Sequence, residues 1–209
     1  MRSRGFTMVE VAVVVMVIGL LLGTFLLGRE MIVQSRVKSI IADFSGVSAA
    51  YNSYADRYGG LPGDDPVADV RWPGAGKGNG DGFLGGAYNS TTNTDESRLW
   101  WDHLRRAGFV PGSGLVQPNN IFVGMIGVQN GAANGQPALG GMRMMLCSAG
   151  LPDKVAIAVD TLIDDGTGAG GSIRALAQTT PNPTIDQTTP TAAYVETGSN
   201  FYTVCQDLK

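Results

Sequence analysis

Residues 5–10 read Gly5-Phe6-Thr7-Met8-Val9-Glu10, and from Val11 to Gly28 eighteen consecutive residues carry no charge. Arg2 and Arg4 stand before this stretch, Arg29 and Glu30 after it. The apolar segment from Phe6 to Gly28 is 23 residues long. At a helical rise of about 1.5 Å per residue, that length crosses a hydrocarbon core of about 30 Å. A secretory signal peptide shares the basic start, but its apolar region is shorter and ends in a small-residue cleavage site. No such site follows this run. Glu10 is the anomaly, because a carboxylate costs roughly 2.5–3.5 kcal/mol at mid-membrane and somewhat less near the interface. So unfavourable a charge requires a partner.

Composition divides the chain in the same place. Its 209 residues, 44% of them hydrophobic, suit one domain, yet the apolar weight is concentrated at the N-terminus. Glycine runs the other way: five of the thirty glycines precede Gly59 and twenty-five lie from there onward. The body is therefore expected to be loop-rich, with a modest core. A net charge of −3 gives no basic field of the kind that draws a protein to DNA or RNA, so no nucleic-acid partner is expected. One histidine, His103, and two cysteines, Cys147 and Cys205, cannot build a Cys/His zinc site or an iron–sulfur cluster. A hard cation on carboxylates stays open. The two cysteines are 58 positions apart with no C-x-x-C, in a chain that starts with a membrane segment. That pattern suggests one disulfide, Cys147 to Cys205, formed outside the cytosol.

The hexapeptide Gly5 to Glu10, after a short basic leader and before an apolar helix, closely resembles the class III signal of type IV pilins and type II secretion pseudopilins. The resemblance implies that a prepilin peptidase cuts between Gly5 and Phe6 and methylates Phe6. It also implies that Glu10 serves subunit assembly by pairing with the N-terminal amine of a neighbouring subunit. Further partners implied are other pilin or pseudopilin subunits, in a homo- or hetero-filament, and an inner-membrane assembly platform. The implied location is the bacterial inner membrane, then a periplasmic or extracellular filament. Arg2 and Arg4 would hold the N-terminus on the cytoplasmic side, with the head extracytoplasmic.

Beyond the apolar run, Val33, Val37, Ile40, Ile41, Phe44, Val47, Ser48, Tyr51, Tyr54, Ala55 and Tyr58 recur at helical spacing, with Ser48 as the weak member. With no proline before Pro62, one helix is predicted from about Phe6 to Tyr58, stopped by Gly59-Gly60. Many members of the resembled family have a proline late in the apolar half. Leu27 stands there instead, which leaves Gly19, Gly23 and Gly28 as the flexible points. The expected organisation is a leader at 1–5, a membrane and filament-core half-helix at 6–28, an amphipathic half-helix at 29–58 and a globular head at 59–209.

In the head, Leu61 to Gly86 is turn chemistry, and Asn93 to Glu96 reads as a helix start with a capping box between Asn93 and Glu96. Leu99, Trp100, Leu104 and Ala107 form that helix's apolar side. Ile121 to Val128, Met142 to Cys147, Ala192 to Glu196 and Phe201 to Cys205 read as strands. Val155 to Ile163 fits both periods, and its flanks favour helix. The predicted class is α+β and pilin-like: a long N-terminal helix packed on a small antiparallel sheet with long glycine-rich loops.

Several motifs invite chemistry. His103 beside Asp102 permits a hydrolase triad on paper, but no G-x-S-x-G elbow accompanies it, and a helix-surface histidine near a C-terminal turn suffices. Gly166 to Gly171 matches G-x-G-x-x-G without the βαβ unit that gives the pattern meaning. Calcium is the more serious candidate, since loop carboxylates at Asp64, Asp65, Asp69 and Asp81, and at Asp160, Asp164 and Asp165, are the ligand type it takes. Asp81, Asp164 and Asp165 are the expected ligands, with solvated turn carboxylates as the plainer reading. Of Trp72, Trp100 and Trp101, Trp100 is expected in the core, with one of the others partly exposed. Asn89-Ser90-Thr91 fits a glycosylation acceptor. No catalytic set emerges, and a filament subunit is the leading reading. A membrane-tethered extracytoplasmic module that binds calcium or another ligand is the alternative.

Overall fold

The computed structural model describes residues 7–131, 138–186, 190–191 and 193–208, without the side chain of Leu26. One helix, α1 (Met8–Tyr58), dominates it. Its 51 residues span about 77 Å at the α-helical rise. It runs unbroken through Gly19, Gly23 and Gly28 and ends where Gly59 adopts φ 67°, its N–H donating to the Ala55 carbonyl. That left-handed position favours glycine because it has no Cβ.

The two halves of α1 differ as their sequences require. From Met8 to Phe25 every side chain is exposed. From Val37 onward a stripe of Val37, Ile40, Phe44, Val47, Ala50 and Tyr54 is buried in the head. Ser48, the weak member, turns its hydroxyl to the Phe44 carbonyl at 2.8 Å and so costs the stripe no unpaired group.

After α1 come a single turn α2 (Ala68–Arg71), helix α3 (Glu96–Arg106), strands β1 (Ile126–Asn130) and β2 (Met144–Pro152), helix α4 (Asp153–Ile163), and strands β3 (Ile173–Gln178) and β4 (Phe201–Asp207). The strands form one antiparallel sheet in the order β1-β2-β4-β3. Residues of α1, α3, α4 and one face of the sheet share a core that includes Phe44, Tyr54, Trp100, Leu104, Val128, Leu146, Val159 and Val204. A second, smaller core on Tyr88, Leu139, Met145 and Ile185 holds the disulfide. Cys147 and Cys205 are register partners on the two central strands, buried and bonded, with Cα atoms 4.0 Å apart.

Several expected boundaries are corrected. The first strand begins at Ile126, because Asn120 to Gly124 closes a tight turn in which the Val123 N–H donates to the Asn120 carbonyl. The next starts at Met144 and runs on to Pro152. Residues 193–196 form a loop in place of a strand, and Ala192 lies outside the described residues. Strand β3 was not expected; its alanine-rich Ile173-Arg174-Ala175-Leu176-Ala177-Gln178 has weak strand propensity and is set by pairing with β4. Helix α3 starts at Glu96 with Asp95 as N-cap, and no capping box with Asn93 forms. The Glu96 carboxylate instead accepts the backbone N–H of Asn79 and of Gly85, fastening the preceding loop. For Val155 to Ile163, helix prevails: Val155, Ala156, Val159 and Asp160 are buried on one face.

Candidate functional site

The chemistry expected at the N-terminus centres on the start of α1. Thr7 is the N-cap, in extended conformation at φ −79° and ψ 152°. Its hydroxyl oxygen accepts the Glu10 N–H at 3.3 Å, and Glu10 Oε2 in return accepts the Thr7 backbone N–H and hydroxyl, each at 2.8 Å. This is a reciprocal capping box, which satisfies N–H groups that have no intrahelical partner. It also gives Glu10 partners within its own chain, which the sequence reading did not foresee. Both bonds end on one carboxylate oxygen, so the other can take a second donor without dismantling the helix start. Gly5 and Phe6, the expected cleavage and methylation positions, lie outside the described residues. Behind the box, α1 contains the one span among the described residues long and apolar enough to cross a membrane, and none of that span is buried by the head.

Residues 1–26 match a family model described as the prokaryotic N-terminal methylation motif. The chain carries this motif. It covers residues 1–5, the capping box and most of the apolar half of α1, and does not reach the head. Comparison with curated proteins finds no match. Among solved structures, the major type IV pilin PilA1 from Clostridium difficile is similar at 14% identity over 85% of this chain and 97% of that one, with a TM-score of 0.38. Neither figure is high enough to bear on what the head does.

The remaining candidates resolve into structural work. His103 is fully buried, which corrects the surface placement expected from its helix position. Its Nδ1 accepts the Gly63 N–H at 2.9 Å, and its Nε2 lies 2.9 Å from the Gly76 carbonyl, which assigns the proton to Nε2. The ring sits beside Tyr54 and Trp72. Asp102 turns away to pair with Arg106 at 2.6 Å, so no triad geometry exists at this histidine. Burial pushes the imidazole below its usual pKa, against the Gly76 hydrogen bond and the nearby Asp65 and Asp102 charges.

The acidic residues separate into two sets. Asp64 accepts the N–H groups of Gly80 and Gly82, while Asp65 binds the Tyr54 hydroxyl at 2.6 Å and pairs with Arg71 at 2.5 Å. Burial opposes the Asp65 charge, but the bonds from Tyr54 and Arg71 prevail and hold its pKa below the usual carboxylate value. Asp69 pairs with exposed Lys77, and Asp81 accepts the Phe83 N–H. In the other set, Asp160, Asp164 and Asp165 offer oxygens within 4.8 Å of one another. Asp81 is not a member of that group, and Asp160 takes the place it was expected to fill. Each of the three already accepts donors: Asp160 from Gly166 and the Tyr194 hydroxyl, Asp164 from Ile173, and Asp165 from Thr167. Gly166 to Gly171 is the loop these carboxylates hold. Burial raises the Asp160 pKa, and the neighbouring Asp165 and Asp164 charges add to that shift against its two hydrogen bonds.

Trp100 and Trp101 are fully buried, and Trp72 is the partly exposed one. The Asn89 amide donates to the Asn182 carbonyl at 2.9 Å, which occupies the nitrogen a glycan would need. A cleft bounded by Phe83, Leu84, Gln129 and Ile185 measures about 130 Å³, well below the roughly 300–1,000 Å³ of a small-molecule site.

Proposed function

We propose that the protein is a filament subunit of the type IV pilin or type II secretion pseudopilin kind, held in the inner membrane until an assembly machine draws it out. One observation carries this reading: the methylation motif lies on the first half of a single 51-residue helix whose exposed apolar start continues into a stripe buried by the head. Function follows as assembly, without turnover. A prepilin peptidase removes residues 1–5 and methylates Phe6. The apolar half of α1 then exchanges lipid for the helices of other subunits. Glu10, kept in register by Thr7, accepts the amine of a neighbour's N-terminus. Where both charges leave water, the pairing sets register more than it adds net stability.

Mass spectrometry of the protein purified from membranes is expected to find a chain beginning with N-methyl-Phe6. A mature chain that begins at Met1, or beyond Gly28, overturns the proposal.

The Asp160, Asp164 and Asp165 group favours a second reading, a tethered head that binds calcium. In that case calcium raises, and a chelator lowers, the melting temperature of the full chain. Glu10→Ala would then cost only the helix cap and leave membrane attachment and calcium binding in place. In the filament subunit the same change abolishes assembly.

A further inference from the structure

The head has an apolar tip at the end nearest the apolar half of α1. Asn120-Ile121-Phe122-Val123-Gly124 forms a turn in which Phe122 packs on the core and lies under the Arg36 guanidinium, 5.5 Å from ring centroid to Cζ. Ile121 and Val123, on either side, are 53% and 76% exposed. Arg36 precedes Val37, the first buried residue of α1, so this turn belongs to the end of the head closest to the membrane span.

Three further properties separate this turn from an ordinary exposed loop. First, four of its five backbone N–H groups are paired within the turn: the Asn120 N–H donates to the Gly124 carbonyl, Val123 to the Asn120 carbonyl, and Phe122 and Gly124 to the Asn120 side chain. Those four donors lose little on entering the headgroup layer, where unpaired ones would be costly. Second, it is rigid. The Asn120 side chain is buried and donates to Ser148 Oγ and to the Ala149 carbonyl, fixing the tip to β2. That anchoring holds Val123 at φ 65°, an unfavourable conformation for a β-branched residue, and strain of this kind points to a function served by the exposed side chain. Third, the tip is free of charge. From Ala107 to Met142 the sequence has no ionisable residue, and the charge over the Phe122 ring is that of the exposed cation Arg36.

Gly28 to Arg36 is eight residues, about 12 Å of helix rise, while the headgroup layer adds about 5–8 Å beyond the hydrocarbon core. Upright, α1 therefore holds Arg36 about 4–7 Å outside the headgroups, and a tilt toward the turn, within the roughly 0–40° that spanning helices adopt, lowers the turn into them. We infer that Ile121 and Val123 form a hydrophobic prong that enters the headgroup layer of the membrane α1 spans, with Arg36 beside it on anionic headgroups. The prong fixes the tilt and rotation of the head before assembly. The inference rests on the reading of residues 6–28 as a membrane span.

The test uses the full chain, one copy per nanodisc of three parts phosphatidylcholine to one part phosphatidylglycerol. A nitroxide is attached in turn to Val123→Cys, Leu20→Cys and Thr92→Cys; both native cysteines are in the disulfide, so each variant has one free thiol. Collision rates with oxygen, which prefers lipid, and with a water-soluble nickel complex report the surroundings. The oxygen-to-nickel ratio at Val123 is expected to exceed that at Thr92 severalfold, to stay below that at Leu20, and to fall when phosphatidylglycerol is omitted. A ratio at Val123 equal to that at Thr92, with Leu20 in lipid, overturns the prong and leaves the span intact. Leu20 in water overturns both. Protection of Val123 from both agents only in discs that hold several chains assigns the tip to a neighbouring copy and also overturns the inference.

Discussion

Glu10 Oε2 accepts the Thr7 N–H at 2.8 Å, so the one acidic residue of the membrane segment belongs to the helix cap as well as to any partner subunit. The two roles come apart on substitution. Glu10→Gln keeps an oxygen for the cap and removes the charge, whereas Thr7→Val removes the cap's hydroxyl and leaves the charge. In sheared-filament assays, Glu10→Gln is expected to lower assembled subunit to background while membrane-bound subunit persists. Thr7→Val is expected to retain filaments in reduced amount. Normal assembly by Glu10→Gln would assign the residue to capping alone.

His103 makes head stability dependent on pH. Its folded-state pKa lies below the ordinary value of about 6.5, so the unfolded chain binds the proton more readily. The stabilisation is complete above that value and declines as the pH falls below it. Protonation also replaces the Nδ1 acceptor by a donor, facing the Gly63 N–H. The half-buried Asp43 and the buried Asp160, whose pKa values desolvation raises, act in the opposite sense at more acidic pH. The melting temperature of the full chain in detergent is expected to fall between about pH 7.5 and about pH 5.5. In His103→Gln it starts lower and changes less over the same range. An equal slope in both proteins would sink the assignment.

What the sequence makes legible here follows the range of the interactions involved. Helix α1 is decided locally, by apolar spacing, the missing proline and Gly59, and its bounds fall within two residues of the expected ones. The buried α4 is likewise readable from residues four apart. Strand β3 is not, because Ala175 and Ala177 favour a strand only once Val204 and Tyr202 are paired with them. His103 looked like a surface residue because its helical period is clear, while its burial depends on Gly63 and Gly76, 40 and 27 positions away. Glu96 has capping chemistry, but long-range donors from Asn79 and Gly85 captured it. At the N-terminus the motif is legible, and the Thr7 contribution follows only from the Thr-x-x-Glu pattern of a capping box that the methylation motif overlies.

Cys147 and Cys205 join the two central strands across 58 positions of sequence, a closed loop whose entropy in the unfolded chain corresponds to about 4 kcal/mol of stabilisation. Because both residues are buried, their replacement by alanine also leaves some space in the second core. The double variant Cys147→Ala/Cys205→Ala is expected to lose about 4 kcal/mol or slightly more in urea unfolding of the full chain in detergent. The reduced wild-type protein should lose a similar amount. A loss under about 1 kcal/mol would show that pairing of β2 and β4 alone already constrains the unfolded chain.

Val123 separates stability from membrane contact, because its backbone is strained while its side chain is 76% exposed. Asparagine tolerates the left-handed region, and a polar side chain at this position leaves no core contact behind. Val123→Asn is therefore expected to stabilise the head by about 1 kcal/mol, read as a higher melting temperature for the full chain in detergent. In lipid the same substitution removes half of the exposed apolar pair. A nitroxide at Ile121→Cys should then move toward the aqueous signature in the Val123→Asn background. Stabilisation together with loss of lipid contact is the pattern of a residue kept for its surface and not for the fold. A lower melting temperature would mean that the turn at Asn120 tolerates φ 65° at Val123 without strain, and the functional argument drawn from that strain would fail.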